Sequence, residues 1–133
     1  MRLPPWKKLA AELHDHGIDS HYLARVEARV TPENRLESLE LEIAQEMAGA
    51  LGRTEDRLNL ALAELQLCEA RHARAVRDRA PDADRVALAE AHDAQRKVAQ
   101  QRLRELLIQR EAMGFRRNQI LNELYPIPGR LPR

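Results

Sequence analysis

Residues 80–84 read Ala80-Pro81-Asp82-Ala83-Asp84, and this stretch separates two long segments of helical periodicity. Proline has no backbone N–H and fits only the first turn of a helix, so it ends one segment and begins the next. The first segment runs from Thr31 to Ala80 and the second from Asp82 to Leu124. This layout predicts an all-α fold built on a long antiparallel helical hairpin.

Apolar residues recur at steps of three and four in both segments, which is the helical period. In the first segment they include Leu39, Ile43, Met47, Leu51, Leu58, Leu62, Leu65 and Val76. In the second they include Val86, Val98, Leu106, Met113, Ile120 and Leu124. Folding the chain at Pro81 pairs these positions along the whole length, for example Leu58 with Leu106 and Ile43 with Ile120.

Two glycines, Gly49 and Gly52, interrupt the first stripe, and Thr54-Glu55-Asp56 follows with the residue types that cap a new helix. The sequence therefore leaves open whether the first helix breaks near Gly52.

The amino-acid composition favours long helices rather than a globular domain with a deep core. The chain has 133 residues, of which 44% are apolar, 32% are charged and only 3% are aromatic. Residues 32–70 carry three arginines against nine carboxylates, a net charge of −6. Residues 71–80, at the tip of the hairpin, and residues 81–133 each have a net charge of +3. Opposite arms of a hairpin should therefore attract. The net charge of +1 gives no strong footprint for nucleic acid.

Cellular location is predicted from cysteine usage and hydropathy. The single cysteine, Cys68, suits a reducing compartment. No apolar run approaches the ~20 residues of a membrane helix, and the N-terminal residues lack the apolar segment of a secretory signal. We expect a cytoplasmic protein that does not enter a membrane.

Three regions follow from these patterns. Residues 1–31 are expected to form two short helices around Gly17, as a cap over the open end of the hairpin. Residues 32–124 form the hairpin, with Thr31-Pro32-Glu33 as its start signal and the turn at 80–84. Residues 125–133 hold three prolines and should be extended.

Several apolar residues lie outside the predicted contact between the two long helices, namely Leu41, Leu60, Leu67, Leu88 and Ile108. Leu41, Leu60, Leu67 and Ile108 are the four expected to bind a partner. They would be exposed on an isolated hairpin, and exposed apolar stripes mark partner surfaces. Either the N-terminal helices fold back over them, or two hairpins associate as a dimeric bundle, or both. We expect a homo-oligomer.

The C-terminal tail offers a second candidate interaction segment through Tyr125, Ile127 and Leu131. These side chains either pack over the open end of the hairpin or serve as an extended docking motif for a partner. Packing is the favoured prediction, because the N-terminal helices offer apolar surface at the same end.

An alternative interpretation of residues 9–30 is a helix-turn-helix that binds DNA. The second helix would then direct Ser20, His21, Tyr22, Arg25 and Arg29 toward a groove. Residues 1–31 carry only five basic against four acidic residues, so the structural cap is favoured.

Glu69 and His72 share one helix face, with His92 opposite in the hairpin, which is the spacing of a partial metal site in a helical bundle. A second Glu-x-x-His pair is absent from the sequence, so we predict no metal, no cofactor and no catalytic residues. The predicted function is a non-catalytic interaction or scaffold protein that binds a protein partner or itself through its helical faces. The alternative is a DNA-binding regulator with a coiled-coil dimerisation region.

Overall fold

The computed structural model describes residues 4–30 and 39–132. Helices in that part of the chain are α1 (Pro5–Asp15), α2 (His21–Val30), α3 (Leu39–Arg77), α4 (Asp82–Ala112) and α5 (Ile120–Leu124). No strand occurs among these residues. α3 and α4 pack against each other as an antiparallel hairpin, so the predicted all-α hairpin is confirmed. The predicted start signal at Thr31-Pro32-Glu33 lies outside the described residues.

The turn of the hairpin is closed by backbone hydrogen bonds at the end of α3. The N–H of Ala80 donates to the carbonyl of Ala75 and the N–H of Arg79 to that of Val76, at 2.9 and 3.2 Å. This pairing is a Schellman motif, which requires a left-handed residue just after the helix. Arg79 takes that conformation, with φ of 53°. Pro81 then precedes the first turn of α4, where Asp82 and Asp84 face the positive end of the helix dipole.

The seam between α3 and α4 holds the centre of the hydrophobic core. Leu58, Leu62 and Leu65 of α3 and Leu106 of α4 are almost completely buried. The side-chain amide of Gln95 donates to the carbonyl of Ala61 at 3.0 Å and helps to fix the register of the two helices. Each buried leucine contributes about 1.5–3 kcal/mol, so these four side chains account for much of the hairpin's stability.

α3 is continuous across Gly49 and Gly52, which settles the possible break left open by the sequence. Thr54 does not cap a new helix. Its hydroxyl donates to the carbonyl of Ala50, one turn back along the same helix, and accepts from Arg57. A threonine can satisfy its hydroxyl in this way inside a helix.

α4 ends earlier than predicted, and this shortens the hairpin. The prediction that the second helix continues to Leu124 is wrong: α4 ends at Ala112, and α5 begins only at Ile120. Gly114, with φ of 91°, allows the N–H of Phe115 to donate to the carbonyl of Arg110 and closes the helix. As a result, no continuous helix carries Ile120 to Ile43 as predicted, and both side chains are about half exposed.

The N-terminal helices pack beside the middle of α3, not over the open end of the hairpin as predicted. The hydroxyl of Ser20 donates to Gln66 at 2.8 Å, and Arg71 pairs with Glu12 at 2.8 Å. Gly17, with φ of 76°, makes the turn between α1 and α2, as expected for a C-cap glycine. α3 is therefore buried on two faces at mid-length, where Leu67 and Ala63 join the core with Leu13 and Leu23.

The Schellman motif at the hairpin tip generates a stability prediction. Arg79 is exposed and left-handed, which costs a non-glycine residue about 1 kcal/mol. Arg79→Gly should raise the free energy of unfolding by about 0.5–1 kcal/mol, after the entropy that glycine adds to the unfolded chain is subtracted. Arg79→Ala is the matched control, since it removes the charge but keeps the strained conformation. Urea unfolding of the two variants measures the difference. Equal stability of both would contradict this account of the turn.

Candidate interaction surface

The apolar stripe of α3 is longer than the helix that covers it. The stripe follows heptad-like steps of four, four, three, four, four and three through Ile43, Met47, Leu51, Thr54, Leu58, Leu62 and Leu65. Thr54 and the leucines from Leu58 onward are buried, and Leu51 is half-buried. Ile43 and Met47, the next two members, are 52% and 45% exposed. We name these two residues the uncovered seam.

The uncovered seam exists because α4 stops before reaching it. Gln109, in the last turn of α4, lines an open cleft together with Ala50, Thr54 and Arg57 of α3. Every residue from 41 to 49 is exposed. At ~1.5 Å per residue, these nine residues extend α3 by about 14 Å beyond the end of its partner helix. Two carboxylates, Glu42 and Glu46, flank the uncovered seam, and this part of α3 carries no basic residue.

A second exposed surface follows the end of α4. Phe115, Arg116, Arg117 and Ile120 form it, and we name these four residues the basic patch. Phe115 is 45% exposed and Ile120 is 49% exposed, and the guanidinium of Arg110 lies 4.6 Å from the centre of the Phe115 ring. Sequence reasoning missed both surfaces because it paired Ile43 with Ile120; the signal available was Gly114 inside the second stripe.

The four off-seam residues predicted to bind a partner have different surroundings. Leu41 and Ile108 are exposed, at 48% and 58%. Leu60 is half-buried. Leu67 is only 5% accessible and belongs to the core with Leu13, Tyr22 and Leu23, so for this residue the N-terminal helices provide the cover and no partner surface remains. The return of α1 and α2 onto α3 accounts for this burial.

The C-terminal tail packs against the chain, but at a different place from the one predicted. Tyr125 is 6% exposed, and Ile127 and Leu131 are half-buried. The side-chain Nε of Arg96 donates to the carbonyl of Pro128 at 2.8 Å, so the tail runs back along α4 and does not cover the open end of the hairpin. These three side chains therefore contribute to packing within the chain.

An ion-pair cluster holds the tail to α4, and sequence reasoning missed it. Asp93 pairs with Arg96 at 2.7 Å, with Arg130 at 3.3 Å and with Lys97 at 3.5 Å. Burial of the Asp93 carboxyl opposes its ionisation. The hydrogen bond from Arg96 and the charges of Arg130, Lys97 and Arg96 together outweigh that effect, so the pKa of Asp93 lies below its ordinary value. No sequence motif predicts this cluster, because Arg130 is 37 positions from Asp93 in the sequence.

The residues of the DNA-binding alternative face the hairpin more than they face solvent. Tyr22 is 6% exposed, and burial raises the pKa of its hydroxyl. Ser20 is hydrogen-bonded to Gln66, and the Arg25 guanidinium lies 5.2 Å from the Tyr125 ring. His21 is exposed, and the side chain of Arg29 lies outside the described part of the structure. A helix docked through Ser20, Tyr22 and Arg25 does not present those three side chains to a groove.

The imidazole of His92 is buried between α3 and α4, whereas its partner Glu69 is partly exposed. His92 is fully buried, with its Nε2 at 3.3 Å from a carboxylate oxygen of Glu69, and its Nδ1 has no partner within residues 4–30 and 39–132. His72 is 8% exposed on the same part of α3. Among the residues that the structure describes, no three His, Cys, Asp or Glu side chains are grouped as metal ligands. A histidine without solvent access offers no surface for a substrate.

The thiol of Cys68 is half-buried, and that burial raises its pKa although Arg71 opposes the shift. A raised pKa keeps the thiol protonated at neutral pH, where it is a weak nucleophile.

The uncovered seam and the basic patch combine exposed apolar side chains with charged neighbours. On the described surface, they have the clearest capacity to bind another molecule.

None of the helices in the described ranges combines the length and the hydropathy of a membrane-spanning helix. Comparison of the chain with protein-family models, with curated proteins and with solved structures finds no match.

The Asp93 cluster predicts how acid affects stability. Because the folded-state pKa is lowered, the cluster stabilises the fold above the unfolded pKa of about 3.9, and this contribution is lost as pH falls through the folded pKa. Asp93→Asn should therefore lower the Tm at pH 7, and its difference from the parent should shrink toward about pH 2. Glu27→Gln, at an exposed carboxylate of α2, is the control and should differ little from the parent. Thermal unfolding followed by circular dichroism between these pH values measures both. A difference that is constant with pH would exclude the ionised cluster as its source.

Proposed function

We propose that this chain is a non-catalytic interaction protein whose open hairpin end receives a helix from another protein molecule. The observation that carries the proposal is the uncovered seam: the heptad-like stripe of α3 continues through Met47 and Ile43, where α4 has already ended. Apolar positions at coiled-coil spacing are suited to helix packing. A helix added at this end would extend the packing already present between α3 and α4.

The chemistry of the site defines what such a partner must offer. Ile43 and Met47 are one turn apart, so a partner helix needs apolar residues at matching steps of three and four. Glu42 and Glu46 favour basic residues beside that stripe. Methionine adapts its shape to different neighbours, which suits a binding surface.

A cytoplasmic setting is part of this proposal. Cys68 is the single cysteine of the chain, and a protonated, half-buried thiol is stable in a reducing compartment.

Photocrosslinking in living cells tests the proposal. A photoreactive phenylalanine analogue replaces Met47 in one variant and Gln101, an exposed residue of α4, in a matched control. We expect illumination to produce a covalent adduct with a protein at position 47 and little or none at position 101. The adduct can contain a foreign protein or a second copy of this chain. Absence of any adduct at position 47, or equal yields at both positions, would count against the open end as a binding surface.

A further inference from the structure

We infer that the occupant of the uncovered seam is a second copy of this chain, bound so that the uncovered seam of each copy lies against the basic patch of the other. The inference rests on the proposed function, in which the uncovered seam is the binding surface. It assigns the partner as the segment between α4 and α5, with the first residue of α5, in place of a longer helix. Continuity, charge and symmetry support it, each from a different observation.

Continuity with the hairpin is the first support. Ile43 and Met47 prolong the stripe that packs against α4 through Leu58 and Leu62, so they belong to a surface that already binds apolar side chains of this chain. The segment after Ala112 was a natural extension of α4 in sequence, with Ile120 at the matching position. Gly114 turns that segment away, which leaves Ile120 half exposed and leaves Ile43 without the side chain it would have met.

Charge complementarity is the second support. Glu42 and Glu46 beside the uncovered seam are exposed, as are Arg116 and Arg117 of the basic patch. No ion pair joins these four side chains to another residue in the described ranges. Two acids beside the uncovered seam and two arginines beside Phe115 and Ile120 match each other in sign and in character. Pairing α3 with α3 would instead bring the glutamates of the two copies together.

Two-fold symmetry is the third support. In an isologous dimer each contact between different patches occurs twice, since residue i of one copy meets residue j of the other and the reverse. The uncovered seam and the basic patch both lie toward the open end of the hairpin, because the basic patch begins three residues after α4 ends. One association would therefore cover both surfaces in both copies.

Charge reversal on the full-length chain tests this arrangement. One variant carries Glu42→Arg and Glu46→Arg, and a second carries Arg116→Glu and Arg117→Glu. Sedimentation velocity over about 1–100 µM measures the association of the parent, of each variant and of an equimolar mixture of the two variants. Circular dichroism checks that each variant retains the helicity of the parent, which is expected because all four residues are exposed.

The parent is expected to form a dimer in this range, and each variant alone should dissociate at least tenfold more readily, because both symmetric contacts become repulsive. The mixture should recover the dimer, since each contact then joins opposite charges again. Met47→Glu should also weaken the dimer, whereas Ile108→Glu, an equally polar change on an exposed apolar residue outside the seam, should not.

Three results would overturn the inference: a parent that is monomeric at about 100 µM, either double variant dimerising as the parent does, or a mixture of the two variants that does not form the dimer. A monomeric parent combined with a foreign adduct at position 47 in cells would reject the second copy and leave the proposed function standing. A monomeric parent together with no adduct of any kind would reject both.

Discussion

The burial of Leu58, Leu62, Leu65 and Leu106 between α3 and α4 is the interaction on which the rest of the structure depends. It requires the two helices to run antiparallel at a fixed register, and the turn at Arg79 and Pro81 makes that reversal possible within four residues. Once the register is set, the length of α4 decides how much of α3 is covered. Because α4 ends at Ala112, it does not extend along the first turns of α3, where Ile43 and Met47 are exposed.

The middle of the hairpin is stabilised from a second side by the remaining segments. α1 and α2 cover Leu67 and Ala63 on the face of α3 that turns away from the seam. Arg25 lies over the Tyr125 ring, and Arg130 pairs with Asp93, so the tail connects α2 to α4. The same molecule thus has a densely packed middle and an open end whose apolar stripe is exposed. That contrast between two parts of one helix is the physical basis for assigning the binding surface to the open end.

The sequence predicts the hairpin well because two strong signals coincide, a proline turn and matched stripes of helical period. It does not predict where α4 ends, since a single glycine such as Gly114 occurs inside helices as well as after them. The position of α1 and α2 on α3 depends on contacts between residues that are distant in sequence, such as Glu12 with Arg71. Hydrophobic periodicity does not reveal such contacts. The interaction surface was missed for the same reason: Ile43 and Met47 fit a covered seam in sequence, and only the observed length of α4 exposes them.

Ile43 and Met47 are uncovered in a single chain, whereas the same stripe of α3 is buried from Leu58 onward, and this difference can be measured. Amide hydrogen exchange, measured at submicromolar protein concentration, tests it most directly because protection reports the local stability of each helical segment. Residues 41–49 are expected to exchange at least about a hundredfold faster than residues 58–67 of the same helix. Equal protection of the two segments at that dilution would show that the single chain covers its own open end, and would contradict the account.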